Sequence, residues 1–223
     1  MTGGGLFITM EGLDGCGKST QLERLAAALS ERGLDLVVTR EPGGTPLGEG
    51  VRGLLTSDVS DRIVPVAELL LIVGARAQHV AELVRPALLA GRVVISDRYT
   101  DSSVAFQGYG RGLDLGLIEH VNRAATGGLR PDLTILLDLE PEAAQARMSP
   151  RPVGGLLGAL DLEKLDFHAR VRRGYLALAA AEPDRVRVVQ AGGTADETHA
   201  GVMQVVEEVV SGQWPVASKK MQE

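Results

Sequence analysis

The stretch ITMEGLDGCGKSTQLERLAAAL, Ile8 to Leu29, passes from an apolar run through three glycines to a lysine and two hydroxyls, then into a helical pattern. Gly12 and Gly17 frame Leu13, Asp14, Gly15 and Cys16 and are followed by Lys18, Ser19 and Thr20, which fits the spacing G-x-x-x-x-G-K-[ST]. Glycines let successive backbone amides turn toward one centre, and the helix that follows adds the positive end of its dipole. A polyphosphate can exchange its hydration shell for such fixed donors. The spacing therefore predicts nucleoside triphosphate binding, with Lys18 reaching the β and γ phosphates and Ser19 joining the shell of a Mg²⁺ ion. A structural glycine turn is the plainer alternative, and the flanking strand and helix patterns argue against it. Cys16 reads as a small loop residue.

Outward from this stretch, the runs LFITME, LDLVVTR, RVVISDR, LTILLDL and RVRVVQA recur between longer helical patterns. They are apolar at consecutive positions, as strands buried on both faces require. An α/β fold follows, with a parallel sheet covered by helices on each side. The first helix places Leu22, Leu25, Ala26 and Leu29 on one face and closes at Gly33. Further helices are expected near 46 to 56, 65 to 90, 113 to 126, 141 to 148, 161 to 182 and 195 to 211. In open parallel sheets ligands sit beyond the carboxyl ends of the strands, so GLDGCGKST, REPGGTP, DRYTDSS, LEPEAAQARMSPRP and AGGTADE carry the functional weight.

Composition bounds the rest. The 223 residues, 44% of them hydrophobic, suffice for one core, so a single domain over 1–212 with a polar tail at 213–223 is expected. A net charge of −6 argues against a nucleic-acid partner. The apolar region Val64 to Ala90 is interrupted by Glu68, Arg76, His79, Glu82 and Arg85, which argues against a membrane span. MTGGG has no basic start of the secretory kind, and one cysteine suits a reducing compartment, so a cytoplasmic location is expected. The four histidines share no ligand spacing and read as core or surface residues.

A phosphate-binding loop serves kinases, switches and mechanical ATPases alike. No N-K-x-D guanine-reading motif occurs. TILLDLE leaves open an ATPase with Asp138 as the metal-facing acid, against the plainer reading of a strand followed by a helix start at Glu140 and Pro141. Several arginines at other strand ends exceed what one nucleotide needs, which suggests a second substrate bearing phosphate.

The segments EGLDGCGKSTQ, TREPGGTPLGE, ARAQH, SDRYTDSSVAFQGYGRG and RPDLTILLD, in this order and spacing, resemble the thymidylate kinase family from about residue 6 to 210. That resemblance implies a P-loop fold with five parallel strands and a mobile lid, here about 147–163, and transfer of the γ-phosphoryl group of ATP to dTMP, the two nucleotides lying end to end. It assigns Gly12 through Thr20 and Arg147 to ATP, Arg147 stacking on adenine. It assigns Asp14, Glu41, Pro42, Arg52, Ile72, Arg76, Arg98, Ser103, Phe106 and Gln107 to the acceptor. Arg40 and Glu41 help organise that site, Arg52 faces the acceptor phosphate, Arg76 meets the thymine carbonyl edge, and Phe106 crowds the sugar 2′ position. Asp97 with Ser19 serves the metal, and Lys18, Asp97, Arg98 and a lid arginine, for which Arg151 is the candidate, serve transfer. A homodimer is also implied, with helix 65 to 90 contributing to its interface. Two positions depart from the common pattern. Ile72 stands where many bacterial members place a phenylalanine that stacks on the base. The lid reads LDLEKLDFHARV after SPRPVGGLLGA, with Leu162 or Ala159 where an arginine is usual. A kinase of another small acceptor such as dUMP remains the alternative within the class.

Overall fold

A computed structural model of the chain describes residues 5–58, 60–148 and 159–213. Five strands, β1 (Leu6–Gly12), β2 (Leu36–Arg40), β3 (Val93–Asp97), β4 (Leu133–Asp138) and β5 (Val186–Gln190), form one parallel sheet in the order β2-β3-β1-β4-β5. β1 and β4 are buried throughout, whereas the edge strands β2 and β5 leave Val38 and Val188 exposed. Consecutive apolar residues mark the inner strands as the sequence leads one to expect; at the edges, neighbours cover one side only.

Helices close both faces. Leu6, Ile8 and Met10 of β1 pack with Leu22, Leu25 and Leu29 of α1 (Lys18–Glu31), with Val171 and Tyr175 of α8 (Ala159–Ala181), and with Val202 and Val206 of α9 (Ala195–Gln213). Phe7 turns to the opposite face, where it meets Val80, Val84, Ala87, Val94 and Tyr99. The alternation along one strand thus feeds two separate apolar layers.

α2 (Pro46–Leu55) begins at Thr45, whose side chain accepts from the Gly48 amide at 3.0 Å, with Pro46 in the first turn. A Cβ on Gly48 would lie 2.4 Å from the Gly43 carbonyl oxygen, so only glycine lets this helix sit against the turn before it. The helix expected over 65 to 90 is divided into α3 (Pro65–His79), a π-helical turn at Val80–Val84 and α4 (Arg85–Leu89). Pro86 supplies the reason: it has no N–H for the preceding turn and its ring crowds the carbonyl four residues back, which a wider turn accommodates. A further helix not read from the sequence is α5 (Thr100–Ser103), which runs on as a π-helical stretch, Val104–Gly110. α6 (Leu115–Thr126) is capped by Asp114, and α7 (Pro141–Met148) follows Glu140.

The strand register brings functional segments to one edge. Met10, Arg40 and Asp97 are partners across β1, β2 and β3, the Arg98 amide donates to Met10 O at 3.0 Å, and the Glu41 amide to Asp97 O at 2.8 Å. Beneath this edge the Glu11 carboxylate is wholly buried, accepting from the Tyr99 amide (2.8 Å), Ser102 Oγ (2.6 Å) and Tyr175 Oη (2.8 Å). One strand end is thereby tied to α5 and α8. A buried carboxylate persists only with such donors around it.

Burial pushes the Glu11 carboxyl from the ordinary 4.5 up to about 7, against the pull of Arg98. The folded chain therefore holds this proton more tightly than the unfolded chain does. The associated stability is complete below pH 4.5 and is lost as the pH rises through about 7. At 1.36 kcal/mol per pKa unit, the unfolding free energy of wild type relative to Glu11→Gln should fall by about 3 kcal/mol between pH 4.5 and pH 8, measured by denaturant titration. A pH-independent difference would contradict this.

Candidate active site

The loop after β1 turns through positive φ at Gly12 (141°), Gly15 (81°) and Gly17 (99°), and α1 begins at Lys18. The Lys18 ammonium is buried and donates to the carbonyls of Gly12 (3.2 Å) and Leu13 (2.9 Å), with Asp14 at 3.9 Å. Burial holds its pKa below the usual lysine range, and the positive charge of Arg98 adds to that. Leu13 and Cys16 turn inward to the core and support the loop from below; burial pushes the Cys16 thiol up. A cavity of about 360 Å³ opens in front of the loop, lined by Gly15, Gly17, Lys18, Ser19, Thr20, Asp97 and Arg147 among others. Arg147 donates to Ala191 O at 2.9 Å, which moors the end of α7 to the loop after β5.

Asp97 Oδ1 is one of two buried side-chain polar atoms without a hydrogen-bond partner among the described residues. A buried carboxylate oxygen left bare is costly and calls for a cation or a water. With the exposed Ser19 hydroxyl in the same cavity, it fits one side of a hard divalent ion. Among the described residues no group of three or more His, Cys, Asp or Glu could hold a metal unaided. Asp138, the alternative metal-facing acid, is instead gripped by Arg172 through both oxygens, at 2.7 and 3.0 Å. That fork pairing leaves it no role in this cavity.

Arg98 follows Asp97 and has φ of 73°, the left-handed region in which a non-glycine residue is held only by its surroundings. Its amide bond to Met10 O and the Ser96 hydroxyl on its own carbonyl (2.8 Å) fix the backbone. The guanidinium donates to Ser102 Oγ and Tyr175 Oη, both at 3.0 Å, and to Asp14 Oδ1 at 2.7 Å, and lies 4.8 Å from the Phe106 ring centre. The Ser102 and Tyr175 protons both point to Glu11, so their lone pairs face Arg98.

A second cavity, of about 370 Å³, adjoins the first and shares Asp14, Glu41, Arg52 and Arg98 with it. It is also lined by Pro42, Ile72, Arg76, Ser103, Phe106, Gln107 and Phe167. All ten residues assigned to the acceptor by resemblance thus meet on one wall system. Glu41 is buried between Arg76 Nε (2.6 Å) and His79 Nδ1 (2.9 Å), and His79 reaches Thr39 Oγ1 at 2.8 Å. Arg76 also donates to Ser103 Oγ (2.9 Å), Tyr99 O (2.9 Å) and Asn122 Oδ1, so it is a fully buried, nearly saturated cation at the cavity floor. Arg52 donates to Pro42 O at 3.3 Å. Arg40 lines the first cavity and pairs with Glu49 at 2.9 Å.

Arg151 and the SPRPVGGLLG part of the expected lid lie outside the described residues, as do the side chains of Ala159 and Leu162. Sequence reading missed Glu11, Glu68, Asn122 and Tyr175. A charged residue inside an apolar strand was a signal for Glu11; the hydroxyl of Tyr175, 164 residues away, gave none.

The model of one protein family, thymidylate kinase, matches residues 10–202. The thymidylate kinase of Solidesulfovibrio magneticus is 49% identical over 205 residues, covering 90% of this chain and 98% of that protein. That of a Synechococcus strain is 51% identical over 201 residues, covering 90% and 95%. The crystal structure of thymidylate kinase from Ehrlichia chaffeensis superposes with a TM-score of 0.74 at 33% identity, covering 91% of this chain and 99% of that one. With a glycine loop, a strand-end Asp-Arg pair and a second cavity joined to the first, and matched over residues 10–202, this chain belongs to the thymidylate kinase family.

Proposed function

We propose that the chain transfers the γ-phosphoryl group of ATP to dTMP, releasing ADP and dTDP. The observation that carries this reading is the junction of two cavities at Asp14, Glu41, Arg52 and Arg98. A hydrolase needs one nucleotide cavity and a path for water. A kinase needs two, meeting where a cation can stand between phosphates.

The acceptor phosphate oxygen must approach a γ-phosphate of like charge. At 4 Å and an effective dielectric of 20, two unit charges repel by about 4 kcal/mol. Arg98 at the junction, Lys18 at the loop and Arg52 opposite lower that barrier. The nucleophile is already ionised and the transition state is loose, so no strong general base is needed; alignment and neutralisation carry the rate. Ser19 and Asp97 would hold Mg²⁺, which would supply charge neutralisation at the transferred phosphate. The amides of Gly15 and Gly17 and the first turn of α1 cradle the β-phosphate, and Arg147 flanks the adenine side. In the acceptor cavity Arg76, Ser103 and Gln107 face the base, and Phe106 restricts the sugar. Ile72 packs against the base without a π face; the aromatic surface there comes from Phe106 and Phe167, whose rings are 6.1 Å apart. Arg151 remains our candidate for the lid arginine.

We also infer a homodimer built on α2 and α3, where Leu47, Val66 and Leu70 are about half exposed. Among the described residues no helix is long and apolar enough to cross a membrane. A reducing cytoplasm suits the single cysteine.

ADP release measured with dTMP, dUMP, dCMP, dGMP and AMP should be strong with dTMP alone. Hydrolysis independent of acceptor would contradict the reading and restore the ATPase alternative. Lys18→Ala and Arg98→Ala should each lower kcat by about two to three orders of magnitude while raising the dTMP KM far less, since both stabilise charge that develops in the transition state. Equal losses in kcat and in affinity would count against that role.

A further inference from the structure

Glu68, in the first turn of α3, lines the acceptor cavity and is 14% exposed. Its two oxygens have separate partners: Oε1 accepts from Gln107 Nε2 at 2.7 Å, and Oε2 from the Arg111 guanidinium at 3.0 Å. Arg111 is itself steadied over the Phe167 ring, 5.0 Å from its centre. A carboxylate offers acceptors only, so it can be met only by the NH₂ end of the Gln107 amide. The amide oxygen must therefore face away from Glu68. Gln107 lines the cavity, is 4% exposed, and its oxygen has no partner among the described residues.

The neighbouring groups complete the pattern. Arg76 commits Nε to Glu41, one nitrogen to Ser103 and Asn122, and the other to Tyr99 O, which leaves one N–H of that last nitrogen. Ser103 Oγ accepts from Arg76 and keeps its own proton to give. The base end of the cavity thus holds two donors and one acceptor. A ring edge with a carbonyl beside an N–H, as in thymine or uracil, answers both kinds. Cytosine offers an amino group and a bare ring nitrogen, which set donor against donor and acceptor against acceptor.

We propose that Glu68 is a specificity-determining positioning residue, which by holding the Gln107 amide in one orientation makes the acceptor site select a ring N–H and reject cytosine. The inference rests on reading this cavity as the acceptor site. With Glu68 replaced by Gln, the partner amide can give or take a hydrogen bond, and Gln107 is free to turn its NH₂ toward a cytosine ring nitrogen. A mismatch of this kind leaves buried polar groups unpaired, so the discrimination at stake is at least about tenfold.

The test is the ratio of kcat/KM for dTMP to that for dCMP in wild type, Glu68→Gln and Glu68→Ala, with calorimetric binding of both nucleotides alongside. A ratio at least tenfold lower in either variant, through gain of dCMP or selective loss of dTMP, is expected. A ratio that stays constant while both substrates weaken together would reduce Glu68 to a structural residue and overturn the proposal. A wild type that turns over neither nucleotide would sink the acceptor reading itself, and the proposal with it; retained dTMP selectivity in both variants sinks the proposal alone.

Discussion

A single buried carboxyl group underlies the architecture of this site. Glu11, next to last in the central strand, has no access to water, and its carboxyl group is satisfied by a backbone amide and two hydroxyls from α5 and α8. Those hydroxyls, committed as donors to Glu11, have only lone pairs to offer on the far side. Arg98 takes both. The arginine backbone is meanwhile locked in a left-handed conformation by Met10 and Ser96. A mobile guanidinium would have to be ordered at each turnover; this one is ordered by folding, the preorganisation that the proposed phosphoryl transfer requires.

The same logic of fixed direction governs the acceptor side. Glu41 faces a buried arginine and a buried histidine, and Arg76 spends nearly all its donors inside the chain. Such saturation takes away freedom and leaves a small, defined set of groups at the cavity wall. Ile72 brings no aromatic ring to this cavity, so under the proposed acceptor reading recognition of the base falls to those polar groups and to the Phe106 and Phe167 surfaces.

Much of the fold was legible because inner parallel strands must be apolar on both faces, a requirement visible in LFITME and LTILLDL alone. The glycine loop was legible because its chemistry is local: turn, amide cradle, lysine and hydroxyl lie within nine residues. The π-helical turn at Val80–Val84 was harder, since wider and normal turns use the same residue types, although Pro86 pointed to it. The helix beginning at Thr100 was missed because TDSSVAFQGYG shows no amphipathic period and two glycines; it is held by packing, with Gly110 close against Phe167 and Val171. Asp138 illustrates the remaining difficulty. Its sequence setting left a metal acid open beside the plainer reading of a strand end before a helix start, and the approach of Arg172, 34 residues on, bears out the plainer one. Glu11, Glu68 and Tyr175 act through partners distant in sequence, and no motif spans such distances.

The proposed transfer requires two anionic nucleotides to meet across one cation, Arg98, at the junction of the cavities. It is tested most directly by calorimetric titration with a bisubstrate ligand, adenosine and thymidine joined through a polyphosphate, in wild type and Arg98→Ala. One ligand should bind per chain, more tightly than either ATP or dTMP, be displaced by each of them, and be strongly weakened by loss of Arg98. Binding no tighter than a single nucleotide, displaced by only one of the two and indifferent to Arg98, would contradict it.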